Sequence, residues 1–421
     1  MQIEIPRAPF SWILKINAYW FGLSFLWNGL HQLILPAVLL NYINYQEKNT
    51  TLGLLTFAGL CIAVVIQPIS GAVSDRWNTI WGRRRPLILL GTLGDFIFLA
   101  ILAWSRGLLW ITVGYIGLQF TSNIAHGPAQ GLVPDTVPPI QRGMASGIKN
   151  LMDMGGLVVG MLILGSVFDP QANHLVIAII LIAAFLAVGA IITLVGRKEN
   201  PAEKFYNSGA SSNIIQPMLL SRERLKSYSW LIASRFVFLL GVYGVQGFIQ
   251  YYIRDEMNVN NPVKLTADLL SIIILALMAF AMTGGWLGDR FGHKRMLYIA
   301  SIIGAVGSLL LIGAHNSKTL LMYGSVFGAA IGLFLTANWA LANLLVPSEQ
   351  AGKYLGLSNL ATAGAGAVAR LTGPLIDLLN NARKGVFMGY TFLFILGAIT
   401  TLGSALLLRK VIEIEYRSNK A

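Results

Sequence analysis

The chain has 421 residues, of which 55% are hydrophobic and only 12% charged, and its mean hydropathy is +0.65. Apolar side chains far outnumber what a soluble core of this length requires, so most of that surface must face lipid and a soluble globular fold is excluded. The formal charge of +13 is then a matter of position along the chain rather than a footprint for nucleic acid, and no nucleic-acid partner is expected.

Cys61 is the only cysteine, which rules out an intramolecular disulfide and gives no Cys-rich metal site. The apolar run from Trp12 is too long for the core of a signal peptide and lacks a small-residue cleavage site, so it reads as a first span. In chain order the sequence predicts twelve apolar stretches, each near the ~20 residues that cross a ~30 Å hydrocarbon core. They cover 12–38, 52–74, 87–105, 108–133, 143–168, 174–196, 229–253, 266–288, 296–314, 318–346, 353–379 and 386–409. Residues 197–228 are polar, with Pro, Ser, Asn and both charge signs, and read as a linker. The expected organisation is therefore a six-helix bundle over 1–196, a cytoplasmic linker over 197–228, and a second six-helix bundle over 229–421 that ends in a short tail. With the N-terminus inside, the outer segments hold only Lys48, Arg106, Arg254, Lys264, Lys318, Arg383 and Lys384 of the 31 Lys and Arg, and Lys15, Lys149, Arg235 and Arg370 fall within spans. The rest lie on the inner side, which places both termini in the cytoplasm of a plasma (inner) membrane.

An internal repeat relates the halves. GAVSDRWNTIWGRRRP (Gly71 to Pro86) after the second span is echoed by GGWLGDRFGHKR (Gly284 to Arg295) after the eighth. RGMASGIKNL (Arg142 to Leu151), entering the fifth span, is echoed by AGKYLGLSNL (Ala351 to Leu360), entering the eleventh. Both echoes fall at nearly the same offset, as a six-plus-six duplication requires.

On these residues the chain resembles the major facilitator superfamily, whose hallmark is a G-x-x-x-D-R-x-G-R-R type loop between spans 2 and 3. The insertion WNTIW between SDR and GRRRP, together with HGPAQGLVPDTVP (His126 to Pro138), resembles the sucrose-transporter-like branch: the plant sucrose/proton symporters and their animal and bacterial relatives, near the glycoside-pentoside-hexuronide:cation symporters. The resemblance implies an all-α membrane protein with twelve transmembrane helices in two pseudo-symmetric six-helix bundles, working by alternating access around a cavity lined by spans 1, 4, 7 and 10. It implies a cytoplasmic gate, assigned here to Asp75, Arg76, Arg83, Arg84, Arg85, Asp135 and Arg142, with Asp289, Arg290 and Arg295 in the second half. Topogenic charge explains part of that cluster, but not an acid such as Asp75 inside a positive loop.

Polar side chains facing lipid are costly, and spans 6, 9 and 12 carry few. The expected cavity spans carry many. Span 4 has Gln119, Asn123, His126 and Gln130 on one helical stripe, and span 1 has Asn17, Ser24, Asn28 and His31, with Gln32 beside them. Span 7 offers Arg235, Gln246 and Gln250 near Tyr243, and span 10 offers Thr336, Asn338, Trp339 and Asn343. Amides, hydroxyls and indole faces suit a neutral polyhydroxylated solute, while glue between helices is the other reading of each residue. Arg370 on span 11 joins the binding candidates.

Lys149 and Asp153, at i and i+4, can pair along span 5, either as an ion pair that fixes helix packing or with Asp153 as a protonation site; Asp95 on span 3 and His126 are further titratable candidates, and uncoupled facilitation stays open. The resemblance fails at the coupling ion. Gln119 stands where the sucrose symporters carry a carboxylate, Gln130 stands where an Arg would be, and CIAVVIQPISG (Cys61 to Gly71) lacks the sodium-binding acids of the melibiose-permease branch.

The expected function is secondary transport of a small polar solute, a sugar or glycoside, coupled to protons. Alternatives are an exporter of amphipathic compounds, since GGLVVGMLILG (Gly155 to Gly165) has the glycines of the antiporter signature without its proline, and a non-transporting binding or pigment-assembly protein on the same fold. No enzyme is expected, since no H-E-x-x-H or nucleophile motif is present and the histidines are dispersed. No metal or cofactor is expected; the partners are the solute, protons and the bilayer, and the protein is expected to be a monomer.

Overall fold

A computed structural model describes residues 8–77, 79–170, 174–195, 222–346, 351–382 and 387–412, all helical or connecting. The helices are α1 (Phe10–Leu39), α2 (Lys48–Arg76), α3 (Arg85–Ala103), α4 (Leu108–Thr136), α5 (Arg142–Val167) and α6 (Leu175–Leu194). They continue as α7 (Arg222–Glu256), α8 (Pro262–Phe291), α9 (His293–Leu310), α10 (Ser317–Leu345), α11 (Ala351–Arg370), α12 (Gly373–Asn381) and α13 (Met388–Leu408). Ten helices among the described residues are long and apolar enough to cross a membrane. The two predicted spans outside that set correspond to α4, where the polar stripe lowers the mean hydropathy, and to α11 with α12.

The chain divides into two compact units. The first holds α1, α2 from Ala58 onward, and α3 to α6; the second holds Asn44–Phe57 and α7 to α13. Inside the first, α1 packs on α5 and α6, and α3 on α4 and α6. Inside the second, α7 packs on α11 and α13, and α9 on α10 and α13. These four pairings match one step of six spans apart, as a duplication requires. Few outer-span hydroxyls face lipid: on α6, Thr193 donates to Lys15 O at 2.8 Å and accepts from Tyr19 N at 3.0 Å, and on α9, Ser301 and Ser404 of α13 meet at 2.9 Å. Ile177, Ile180, Val188 and Ile191 of α6 are exposed instead, as a lipid-facing surface requires.

Helix boundaries differ from the hydropathy pattern in three places, each for a local reason. The predicted linker ends early: α7 begins at Arg222, because RERLKSYS is rich in good helix formers and buries Ser227 and Tyr228. Residues 197–221 lie outside the described residues. The eleventh span is broken after Arg370, and α12 restarts with Pro374 in its first turn, since a proline there has no N–H to give to the preceding turn. In α1 a π-helical turn, Leu30–Ile34, precedes Pro36 and absorbs its missing donor.

Close helix approach rests on glycines such as Gly22, where an added Cβ would lie 2.8 Å from Leu186 Cα on α6. Gly22→Val should force α1 and α6 apart at a cost of about 1–3 kcal/mol, visible as a lower thermal midpoint of the purified protein. Gly143→Ala is the matched control, because nothing lies within 4 Å of its added Cβ, and its midpoint should be unchanged.

Candidate functional site

The first unit contains a charged cluster where α2 ends, α3 begins and α4 ends. Arg83 grips Asp135 with a two-point fork, Nε to Oδ2 at 3.0 Å and Nη2 to Oδ1 at 2.5 Å, and Arg84 Nε reaches Asp135 Oδ2 at 2.7 Å. Arg84 also pairs with Asp75 and donates to Ser74. Asp135, 14% exposed against 55% for Asp75, is the hub, so the cluster centres on the end of α4 and not on the α2 acid that the sequence singles out. Arg142 donates to Val137 O and Pro134 O, capping the end of α4. Arg85 is buried at the start of α3, and Arg76 is exposed.

The second-half counterpart is built differently. Asp289 faces His293 at 3.4 Å, Arg290 lies over Trp286 and Phe291, and Arg295 is exposed. Among the described residues it holds no carboxylate–guanidinium pair of its own.

Of the binding candidates in the first unit, His31, Gln119 and Asn123 come together. The π turn carries His31 onto α4, where its Nε2 lies 2.8 Å from Tyr115 Oη and 3.3 Å from Gln119 Nε2. Gln119 donates to Tyr115 Oη at 2.8 Å, and Asn123 donates to Gln119 O at 2.7 Å. Trp27 stacks obliquely on His31 with ring centres 5.0 Å apart and donates its indole N–H to Ser122 at 3.1 Å. Asn28 turns back onto its own helix, donating to Ser24 O.

Further along α4, His126 meets the edge of Trp20 at 5.0 Å and lies 3.1 Å from Gln130. Lys149 does not form the expected ion pair with Asp153: its Nζ sits 3.9 Å over the Trp20 ring instead. An indole face competes well for an ammonium in a poorly hydrated site. Asp153 stands against the Ser24 hydroxyl. Asp95 is fully buried, accepts from Thr121 at 2.6 Å, and leaves its second oxygen without a hydrogen-bond partner among the described residues. It faces α4, which explains a carboxylate on a peripheral helix.

In the second unit Arg235, Asn338 and Trp339 gather around one guanidinium. Arg235 Nε donates to Thr362 at 3.0 Å, Nη1 donates to Asn338 Oδ1 at 3.1 Å, and Trp339 lies 6.0 Å away. Gln246, Gln250 and Asn343 are not part of this group. Arg370 is buried against Gly247 of α7, about 18 Å along that helix from Arg235 at 1.5 Å per residue, so the two cations are separate.

Sequence reading missed a second charged network in this unit. Asp255, at the end of α7, receives Lys48 Nζ at 2.5 Å, Tyr390 Oη at 2.5 Å and the Tyr45 hydroxyl. Asp377, on the short α12, accepts from Asn49 N, Asn49 Nδ2 and Thr50 N at 3.3, 2.8 and 2.6 Å. A carboxylate from one helix thus caps the first turn of another, where the unpaired N–H groups and the positive dipole end favour it. The partners lie 207 and 328 residues apart, so no local pattern reveals them. Lys48 and Asp255 have side chains only 2% and 0% exposed. Lys48→Met should therefore destabilise by about 3–5 kcal/mol by stranding Asp255, and adding Asp255→Leu should recover most of that loss. A double-mutant cycle on thermal unfolding measures it; simple additivity would show that the pair is not coupled.

A family model described as the Major Facilitator Superfamily matches residues 21–370 and 231–420. The multi-drug resistance efflux pump PmrA of Streptococcus pneumoniae is 22% identical over 385 residues, covering 87% of this chain and 90% of the pump. The multidrug resistance protein MdtG of Klebsiella pneumoniae is 26% identical over 400 residues, covering 90% and 89%. A crystal structure of a D-xylose-proton symporter superposes with a TM-score of 0.73 over 96% of this chain and 97% of its own, at 14% identity, a likeness of fold alone. One relative is named as a multi-drug resistance efflux pump and the other as a multidrug resistance protein, so neither represents the expected sucrose-transporter-like branch.

Proposed function

The chain belongs to the major facilitator superfamily, and from that membership we propose that this membrane transporter exports small amphipathic organic compounds. The observation that carries the reading is the assembly of Trp27, His31, Tyr115, Gln119 and Asn123, where aromatic faces alternate with neutral hydrogen-bonding groups. Such a surface suits a ring-bearing solute with a few polar atoms. Its direction rests on the near full-length similarity to a protein named as a multi-drug resistance efflux pump, alongside one named as a multidrug resistance protein. Sugar or glycoside symport is the second reading, favoured by the neutrality of the same ladder and by the WNTIW insertion before GRRRP. Export proceeds by alternating access, with both termini cytoplasmic and the protein a monomer in the inner membrane.

Protons drive the cycle in this proposal. Asp153, close to Lys149 and Ser24, carries the proton, because its charge has no fixed ion pair to hold it. The Asp75, Arg84, Asp135 and Arg83 cluster latches the cytoplasmic end of the first unit in one conformation.

Reconstituted vesicles with an imposed pH gradient test the reading with a panel of amphipathic dyes and radiolabelled sucrose. Gradient-driven dye movement with no sucrose movement is expected; sucrose accumulation without dye transport would reverse the choice. Asp153→Asn should abolish gradient-driven accumulation while sparing exchange, and accumulation that persists removes it as the carrier. Asp75→Asn should slow turnover several-fold at unchanged ligand affinity, whereas an unaltered rate would sink the latch.

A further inference from the structure

A guanidinium keeps its proton in any protein environment, so an arginine deep in a span remains a cation. The usual remedies are a carboxylate partner or an extended side chain that reaches the interface. Arg235 has neither. It is 7% exposed, and it lies six residues, about 9 Å at 1.5 Å per residue, inside the apolar stretch that begins at 229. Its hydrogen-bond acceptors are the hydroxyl of Thr362 and the amide oxygen of Asn338, which orient the fork without neutralising it. No carboxylate among the described residues forms a salt bridge with it.

Donors without acceptors lie side by side here. Arg235 uses Nε and Nη1, and among the described residues Nη2 has no acceptor. Asn338 is fully buried, and its Nδ2 has no hydrogen-bond partner among the described residues although its Oδ1 is taken by Arg235. Beside them Trp339 is 39% exposed and offers an indole face. Unused donors around a cation match a group that only accepts, and the ring beside them matches an apolar or aromatic body. The ladder of the first unit differs, because its groups bond one another.

We propose that Arg235, with Asn338 and Trp339, receives the anionic group of the transported solute, so that the preferred substrates are amphipathic organic anions: carboxylates, sulfonates or phosphate monoesters on an aromatic or apolar body. This rests on the export reading and narrows its substrate class. Thr362 is a positioning residue, holding the fork so that Nη1 and Nη2 face the ligand together.

Calorimetric titration of the purified full chain in phosphatidylcholine nanodiscs tests it with three matched probes: naphthoate, its neutral amide naphthamide, and the naphthylmethylammonium cation. Naphthoate should bind at least about tenfold more tightly than either, as a charge-assisted fork requires. This preference is read on the unaltered protein, so no folding defect can obscure it. Arg235→Gln should erase the preference and Arg235→Lys should restore part of it. Equal binding of naphthoate and naphthamide, or preference for the cation, overturns the anion site. Loss of naphthoate binding when the nanodisc lipid is anionic phosphatidylglycerol also overturns it, by making a lipid headgroup the occupant. Vesicle transport separates the two readings: movement of neutral or cationic dyes without anion preference leaves export standing and removes this inference, whereas sucrose transport with retained naphthoate preference removes export and leaves the anion site.

Discussion

In hydrocarbon there is no water to complete a hydrogen bond, so each polar group carried into a span must be answered by the protein itself. Much of the arrangement inside the two units follows from how that demand is met. Lys149 is answered by an indole face, Asp95 by a single threonine hydroxyl, Arg235 by a hydroxyl and an amide, and Lys48 by Asp255. These answers differ in how completely they compensate. The Lys48–Asp255 pair is neutral as a whole and joined by two tyrosine hydroxyls, which suits a fixed structural tie. Neutral partners around Arg235 leave its charge intact, which suits a group meant to meet something that comes and goes.

Breaks in the helices serve the same demand. A straight α1 would carry His31 on the simple stripe that includes Asn28. The π turn before Pro36 adds a residue to one turn, and at its start the His31 ring meets Tyr115 and Gln119. Pro374 starts α12, the short helix that supplies Asp377 to the first turn of α2. In each case a proline that removes one backbone donor sits beside a side chain that supplies a new hydrogen bond elsewhere. The local cost is offset by a contact that an unbroken helix of the same sequence would not reach.

What was legible in the sequence is what depends on period and sign. Lipid-length apolar runs, the repeated loops, and the stripe on α4 are all local patterns, and they led to the superfamily and to polar faces on spans 1 and 4, while the contact of His31 with Tyr115 and Gln119 emerged only from packing. The Lys149–Asp153 pair was misread because i, i+4 spacing gives opportunity without saying what else competes, and Trp20 on another helix offered the better face. Asp255 and Asp377 carry no signal in the sequence, since their partners come from distant parts of the chain. Arg370 and Arg235 read alike in sequence; only packing separates the one held against Gly247 from the one beside Asn338. The GRRRP loop spoke to the superfamily, while its insertion pointed to a branch that the reported relatives do not share.

The repeated packing scheme also limits where the units can differ. α1 with α5 and α6 repeats as α7 with α11 and α13, so the backbone frame around the two polar clusters is similar, and selection for a ligand acts on side chains within it. In the first unit those side chains are mutually satisfied and aromatic; a solute there gains dispersion and can trade hydrogen bonds at little net cost. In the second they leave donors and a charge unspent, so a solute gains mainly by supplying acceptors. Under the proposed anion site, the second cluster would discriminate while the first would tolerate varied shapes. Broad recognition of ring-bearing compounds and selectivity for their charge then become separable properties of one chain.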